Sequence, residues 1–321
     1  MQNVARLSLA LGVLSVLTLN APAARADDKI RLAVGNRGAW DTSVSELAQR
    51  SGIFHKHGID ADILYTDGGG ETLQTVISAS VDIGAAAGIM GALGAFSKGA
   101  PIRIVGAETT GARDLYWYVR SDSPITSLKN TAGKTLAYST SGSSTNGVVL
   151  AFMDQYHLTA KPTATGAPPA TLTQVMSGQI DVGWASPPFA LEQADKKQIR
   201  IIASGNDAAV FKGQTVRVLV THARFLQAHK ELLDRYMLAY RETIDWMYAD
   251  PAAIKMYADF NKISEPMAKR VRDTFFPKAA IDPDKVVGID LVMPDAVKLK
   301  YVAAPLTAAQ ISQLIQIPPR N

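Results

Sequence analysis

The 321-residue sequence has no cysteine. That absence excludes disulfides, thiolate metal sites, iron–sulfur clusters and cysteine nucleophiles together. An excess of one charge is also missing: 33 basic residues face 29 acidic ones, for a net charge of +4. Nucleic-acid binders carry a clustered basic face, so nucleic acid is excluded as a partner. Long hydrophobic runs are scarce. Residues 83–97 are uncharged and apolar but are interrupted by Gly84, Gly88, Gly91 and Gly94, whereas a membrane-spanning helix needs about 20 apolar residues. What the chain does have is ordinary core material. At 47% hydrophobic and 19% charged it can bury enough apolar surface to fold, and its length suggests about two domains.

The first 26 residues read as an address and not as part of the fold. Arg6 supplies a positive start, residues 7–19 are a Leu-rich uncharged run, and Ala24-Arg25-Ala26 places small residues where a signal peptidase probes. This is the pattern of a secretory signal peptide cleaved near Ala26. A membrane anchor would need a longer run, and a lipoprotein anchor would need a cysteine. The mature chain is expected in the periplasm. Arg6 and Arg25 are two of the 33 basic residues, which leaves 31 against 29 acidic ones.

In the mature chain, residues 29–35 read as a strand and 42–54 as a helix. Residues 59–65 follow as a strand, a glycine turn at 68–70 opens a helix over 71–78, and 81–85 is a strand. A helix at 89–96 and a strand at 102–107 continue the alternation, which implies parallel βαβ units with right-handed crossovers. An internal repeat appears at a constant offset of 99 residues: LQTVISASVDIG over 73–84 and LTQVMSGQIDVG over 172–183. Leu, Val, Ser, Asp and Gly recur in step, so two similar lobes are expected. Residues 115–120 (LYWYVR) and 216–221 (VRVLVT) are β-prone. Helical patterns then fill 230–248, 251–260, 265–275 and 307–315. The expected fold class is α/β: two Rossmann-like lobes joined by a two-strand hinge, with extra C-terminal helices. Lobe 1 comprises residues 27–119 plus 221–321, and lobe 2 comprises 120–220.

The segments SGIFHKHGIDADILYTDGGG, SASVDIGAAAG, SLKNTAGKTLAYSTSGSST and SGQIDVGWASPPFAL carry a resemblance. From about residue 30 to 275 the chain resembles the nitrate/sulfonate/taurine class of periplasmic substrate-binding proteins of ABC importers, the group related to thiamine-precursor binders. The resemblance implies a two-lobe type II periplasmic binding protein that closes on one small molecule and docks on a permease and ATPase complex at the inner membrane. It implies a monomer without cofactor, metal or catalytic residues.

Parallel sheets bind ligands beyond the carboxyl ends of their strands, so the loops there supply the candidate site. After the first strand come Arg37, Gly38, Trp40 and Asp41; after the second, Gly70 and Glu71; after the third, Ala87 and Gly88. In lobe 2 the serine-rich loop offers Ser141, Ser143, Ser144 and Thr145, and the repeated strand leads to Trp184 and Pro187. Tyr116 and Trp117 lie on the expected hinge strand, with one facing the cleft and the other the core. Helix N-termini suit anions, Arg37 could fork a carboxylate or sulfonate, and the aromatics suit an organic body. The expected ligand is therefore a small organic anion, an alkyl or aryl sulfonate or an aromatic carboxylate. A thiamine-precursor-like pyrimidine, nitrate or bicarbonate is the alternative ligand. A receptor for a membrane sensor and an enzyme on the same scaffold are the alternative functions. The yeast-type pyrimidine synthases on this scaffold carry a cysteine-rich motif that this chain lacks.

Two further signals are weak. His55 and His57 stand two apart, so they do not share a helix face and read as a solvated helix end. Residues 142–146 (GSSTN) nearly match a nucleophile elbow, but Asn146 replaces its last glycine.

Overall fold

Two sheets with matching strand orders organise the computed structural model, which describes residues 27–320; the expected signal segment lies outside the described residues. The chain first runs through β1 (Asp28–Gly35), α1 (Val44–Arg50), α2 (Ile53–Lys56), β2 (Ile59–Thr66), α3 (Gly69–Ile77), β3 (Ile83–Gly88), α4 (Ile89–Ser97) and β4 (Ile102–Thr110). It then forms β5 (Tyr116–Arg120), β6 (Thr135–Tyr138), α5 (Ser144–Gln155), β7 (Lys161–Ala164), α6 (Pro168–Met176), β8 (Gly183–Ala185), α7 (Leu191–Asp195) and β9 (Ile199–Ser204). It returns as β10 (Thr215–His222), followed by α8 (Ala223–Ala228), α9 (Lys230–Ala249), α10 (Pro251–Asn261), α11 (Glu265–Phe275), α12 (Ile289–Lys298) and α13 (Ala308–Leu314). The helix expected over 42–54 is interrupted at Gly52, whose positive φ separates α1 from α2.

The first sheet has the order β2-β1-β3-β10-β4, with β10 antiparallel to both neighbours. In the second, β8-β5-β9 and β6-β7 are joined by a bridge between Leu136 and Val182, giving β7-β6-β8-β5-β9. Each sheet thus takes its one antiparallel strand from the first segment after a crossing. The crossings fall at residues 111–115 and 205–214, ahead of the expected points at 120 and 220. The strand over 116–120, assigned from the sequence largely to lobe 1, pairs instead with β8 and β9. Its aromatic and β-branched residues find their partners in the second sheet. The two crossings run side by side: the Gly111 amide donates to Gln214 O at 2.9 Å, and the Gly205 amide to Leu115 O at 2.7 Å.

The 99-residue repeat has a structural cause. Asp82 accepts from the Arg31 amide at 2.8 Å and Asp181 from the Thr135 amide at 2.9 Å. Each aspartate therefore ties its helix–strand turn to the first parallel strand of its lobe. A Cβ on Gly84 would meet Val76 at 2.8 Å, and one on Gly183 would meet Val175 at 2.6 Å, so each glycine lets helix and strand pack closely. The repeat also extends further back than the sequence match. Hydroxyls pair between Thr66 and Thr72 at 2.7 Å, and between Thr165 and Thr171 at 2.6 Å.

The C-terminal helices complete lobe 1. Helix α9 buries Leu233, Tyr236, Met237, Tyr240, Ile244 and Met247 along one stripe, packed on α1, α2 and α10.

Candidate functional site

The C-terminal ends of the parallel strands of both lobes converge on one small space between the lobes. Asn36 follows β1, Ala86 lies in β3, Ser139 follows β6, and Trp184 and Ser186 stand at the end of β8; all line it. The first residues of α3, α5 and α6 (Gly69, Ser144 and Pro168) line it as well. Gly69 and Pro168 are 99 residues apart, so the repeat places equivalent helix starts on opposite walls. The space open to the centre of a water-sized sphere is about 30 Å³, more than the roughly 10–15 Å³ that one water needs on that measure. The lobes are shut around it. The Gly70 amide donates to Thr140 Oγ1 at 3.1 Å, Tyr301 Oη donates to Asn146 Oδ1 at 2.8 Å, and Arg270 pairs with Asp195 at 2.7 Å.

The floor is ionic. Arg217, on β10, directs one guanidinium nitrogen at two carboxylates: Asp41 Oδ2 at 2.9 Å and Asp114 Oδ2 at 2.8 Å. All three side chains are at most 5% exposed. Ser186 of lobe 2 donates to Asp114 at 3.1 Å and Thr109 of lobe 1 to Asp41 at 3.0 Å. The cluster therefore spans lobe 1, the first crossing and lobe 2. Glu108 stands behind it, accepting from the Ala86 amide at 2.6 Å. Burial, and then the Asp41 carboxylate, push the Glu108 carboxyl up to about 8, so it keeps its proton at neutral pH. Burial also raises Asp114, against the pull of Arg217. Burial disfavours the Arg217 charge, but Asp114 and Asp41 outweigh it and hold its pKa above the ordinary value.

Several buried polar atoms in this lining have no protein partner: Asn36 Oδ1, Asp41 Oδ1, Arg217 Nε and Trp184 Nε1. Leaving such atoms unpaired costs about 1–3 kcal/mol each.

Four of the sequence-derived candidates line the cavity: Asp41, Ser144, Thr145 and Trp184. The others stand elsewhere. Trp40 is fully buried in lobe 1, edge-on to Tyr257 at 4.8 Å and to Tyr248 at 5.9 Å, so it is core and not a cleft wall. Arg37 is exposed and stacks over Phe260 at 4.2 Å, donating to the Phe260 carbonyl. Gly38 accepts from Tyr257 Oη at 2.7 Å. Glu71 caps its own helix by accepting from the Asp67 amide at 2.8 Å. Ser143 caps α5, accepting from the Asn146 amide at 3.1 Å. Gly70, Gly88 and exposed Ser141 lie at the lobe–lobe contact, where a Cβ on Gly70 would come within 1.9 Å of Ser141 O. Ala87 is buried in β3, and buried Pro187 precedes the lining residue Phe189. Tyr116 supports that segment by donating to the Phe189 carbonyl, while Trp117 is core, with its Nε1 on Ala137 O at 2.8 Å. His55 and His57 face different acids, Asp27 and Glu242.

Sequence reasoning missed Asp114, Arg217 and Glu108. A signal existed: Arg217 is a lone cation inside the β run VRVLVT, and a charge in a buried strand requires opposite charge nearby. Among the described residues no group of three His, Asp or Glu could hold a metal ion, and no helix is long and apolar enough to cross a membrane.

Comparison with known proteins agrees with this architecture. A family model described as "NMT1/THI5 like" matches residues 45–254. No curated protein matches significantly. Among solved structures, a protein of Bordetella bronchiseptica RB50 superposes with a TM-score of 0.75 at 19% identity, covering 90% of this chain and 94% of the other. The alkanesulfonate-binding protein SsuA from Xanthomonas axonopodis pv. citri, bound to MOPS, gives 0.73 at 17% identity over 92% and 100% of the two chains. The periplasmic nitrate-binding protein NrtA from Synechocystis PCC 6803 gives 0.68 at 12% identity, over 91% and 87%. The fold is that of the periplasmic binding proteins of ABC importers.

Proposed function

We propose that this chain, which belongs to the NMT1/THI5-like family, is a periplasmic solute receptor that closes its two lobes on one small organic molecule and delivers it to the permease and ATPase of an ABC importer. The observation that carries this reading is the inter-lobe cavity, which polar residues of both lobes line: Asn36, Asp41 and Arg217 from one, and Ser139, Ser144, Thr145 and Ser186 from the other. Asn36 and Asp41 come from lobe 1 and Trp184 from lobe 2, so a molecule that pairs with all of them is complete only when the lobes are together. Ligand contacts made by both lobes favour the closed form, and a permease that recognises that form reads occupancy. Asp41, Ser144, Thr145 and Trp184 are the ligand-facing candidates retained from the sequence; Asn36, Ser186 and Phe189 join them.

A thermal-shift screen of the mature chain, followed by calorimetry on the hits, tests the proposal. A receptor binds one solute per chain and returns it chemically unchanged. Recovery of an altered solute after incubation would favour an enzyme on this scaffold instead.

A further inference from the structure

Phe189 stands between two spaces. It lines the small inner one between the lobes and also a larger outer one, about 570 Å³ against about 30 Å³ on the same measure. Pro168, also of lobe 2, is the other residue that lines both. The facing wall belongs to lobe 1. Ala39 lines the inner space and Asn261 the outer one, and the Phe189 ring arrives at Gly38. A Cβ on Gly38 would stand 2.9 Å from Phe189 Cζ and 2.7 Å from Asn261 Oδ1. The tip of the ring therefore packs on bare backbone, at a residue whose φ of +111° favours glycine. Both sides of this contact are braced. Fully buried Tyr257 donates to the Gly38 carbonyl at 2.7 Å and fixes the seat on lobe 1. On lobe 2 the Phe189 amide donates to Ser186 O at 3.2 Å, and its carbonyl accepts from Tyr116 Oη. The backbone of Phe189 is thus anchored to one lobe while its ring rests on the other, and the ring must leave Gly38 when the lobes part.

We infer that Phe189 is a shutter. As the lobes close, its ring seats on Gly38 and cuts the inner space off from the outer one. As they open, the ring withdraws with lobe 2, and the outer space becomes the way in and out. The outer walls suit a passage: apolar Leu172, Ile263 and Met267 stand with one acid and one base, Glu192 and Lys262, so they present no net charge that would retain a solute. The inference rests on the receptor reading, since a shutter needs lobes that move, and it adds a residue that governs how long a solute stays. Truncating the ring speeds release more than it changes capture.

The test can be made without a solute. Asp195 and Arg270 face each other across the lobes at 2.7 Å, and the chain has no cysteine. Asp195→Cys with Arg270→Cys, joined by bismaleimidoethane, therefore holds the lobes together at one defined point. Of the four tryptophans, Trp40 and Trp117 are fully buried, and Trp246→Phe removes the partly exposed one. Acrylamide quenching of fluorescence then reports on Trp184, which lines the inner space. Cross-linking should lower that quenching, and Phe189→Ala in the cross-linked chain should restore it. Phe189→Leu, which keeps part of the apolar bulk, should fall between and serves if the alanine variant fails to fold. If the cross-linked chain quenches alike with and without the Phe189 ring, the shutter is overturned while the receptor reading survives. If, in addition, cross-linking leaves the radius of gyration unchanged, the lobes do not move and the receptor reading falls with it.

Discussion

A Cβ built on Gly91, in the first turn of α4, would stand 2.2 Å from the carbonyl oxygen of Gly142 in the opposite lobe. The two lobes meet there backbone to backbone, with no room for one methyl group. Within its own helix Gly91 is a poor choice, because alanine is about 1 kcal/mol more favourable in a helix interior. Folding and closure therefore make opposite demands on this residue.

Gly91→Ala separates them. The ligand-free variant should melt at or above the wild-type temperature, while solute affinity falls at least ~10-fold, because about 1.4 kcal/mol of lost closure energy is a factor of ten. Melting curves with and without solute check both halves of this expectation. Unchanged affinity would mean that the shut arrangement is not the ligand-bound one.

Trp40 and Trp184 should behave differently. Trp40→Ala removes a fully buried ring held between Tyr248 and Tyr257 and should cost about 3–5 kcal/mol of stability. Trp184→Phe keeps most of the ring volume and removes the unpartnered Nε1 donor of this cavity-lining side chain. It should leave denaturant unfolding nearly unchanged and weaken solute binding. Comparing the two by unfolding and by calorimetry assigns one to the core and the other to the site.

Arg217 neutralises a cluster of buried acids. Arg217→Met should destabilise the chain by about 3–5 kcal/mol, because it leaves Asp41 and Asp114 buried without a counter-charge. Adding Asp114→Asn should restore part of that loss. A chemical-denaturation cycle over the two positions measures the coupling, and a coupling near zero would contradict the shared-guanidinium geometry.

Glu108 sets a pH dependence. Unfolded, it titrates near its ordinary 4.5; folded, burial and Asp41 hold it at about 8. Between those values the folded chain keeps a proton that the unfolded chain has released. Stability therefore falls as pH rises through that window, by at most about 1.4 kcal/mol per pH unit from this group. Glu108→Gln should flatten the slope of melting temperature against pH between 5 and 8. An unaltered slope would show that the carboxyl is ionised in the fold.

Much of the architecture was legible in the residues, and the reason is local. The repeat over 73–84 and 172–183 is visible because each copy must solve the same problem: a glycine beneath a helix valine and an aspartate on a strand amide. The strand–helix alternation follows from periodicity, which depends on neighbours in sequence. The site was only half legible. Ser144, Thr145 and Trp184 sit next to elements that periodicity locates. Asp41, Asp114 and Arg217 meet across more than 100 residues of chain, through the exchange of β5 and β10 between sheets, and no local pattern encodes that pairing. Trp40 was misplaced for a related reason. Its loop follows a strand as a cleft residue's would, but its ring turns towards α9 and α10, whose packing on lobe 1 only the fold reveals.

Small-angle X-ray scattering of the mature chain, alone and saturated with the solute that shifts its melting most, bears on the receptor reading most directly. The free chain should scatter as a more extended particle than the shut structure, and the saturated chain should match that structure with a reduced radius of gyration. Superimposable curves at proven saturation would mean that the lobes do not close on a guest.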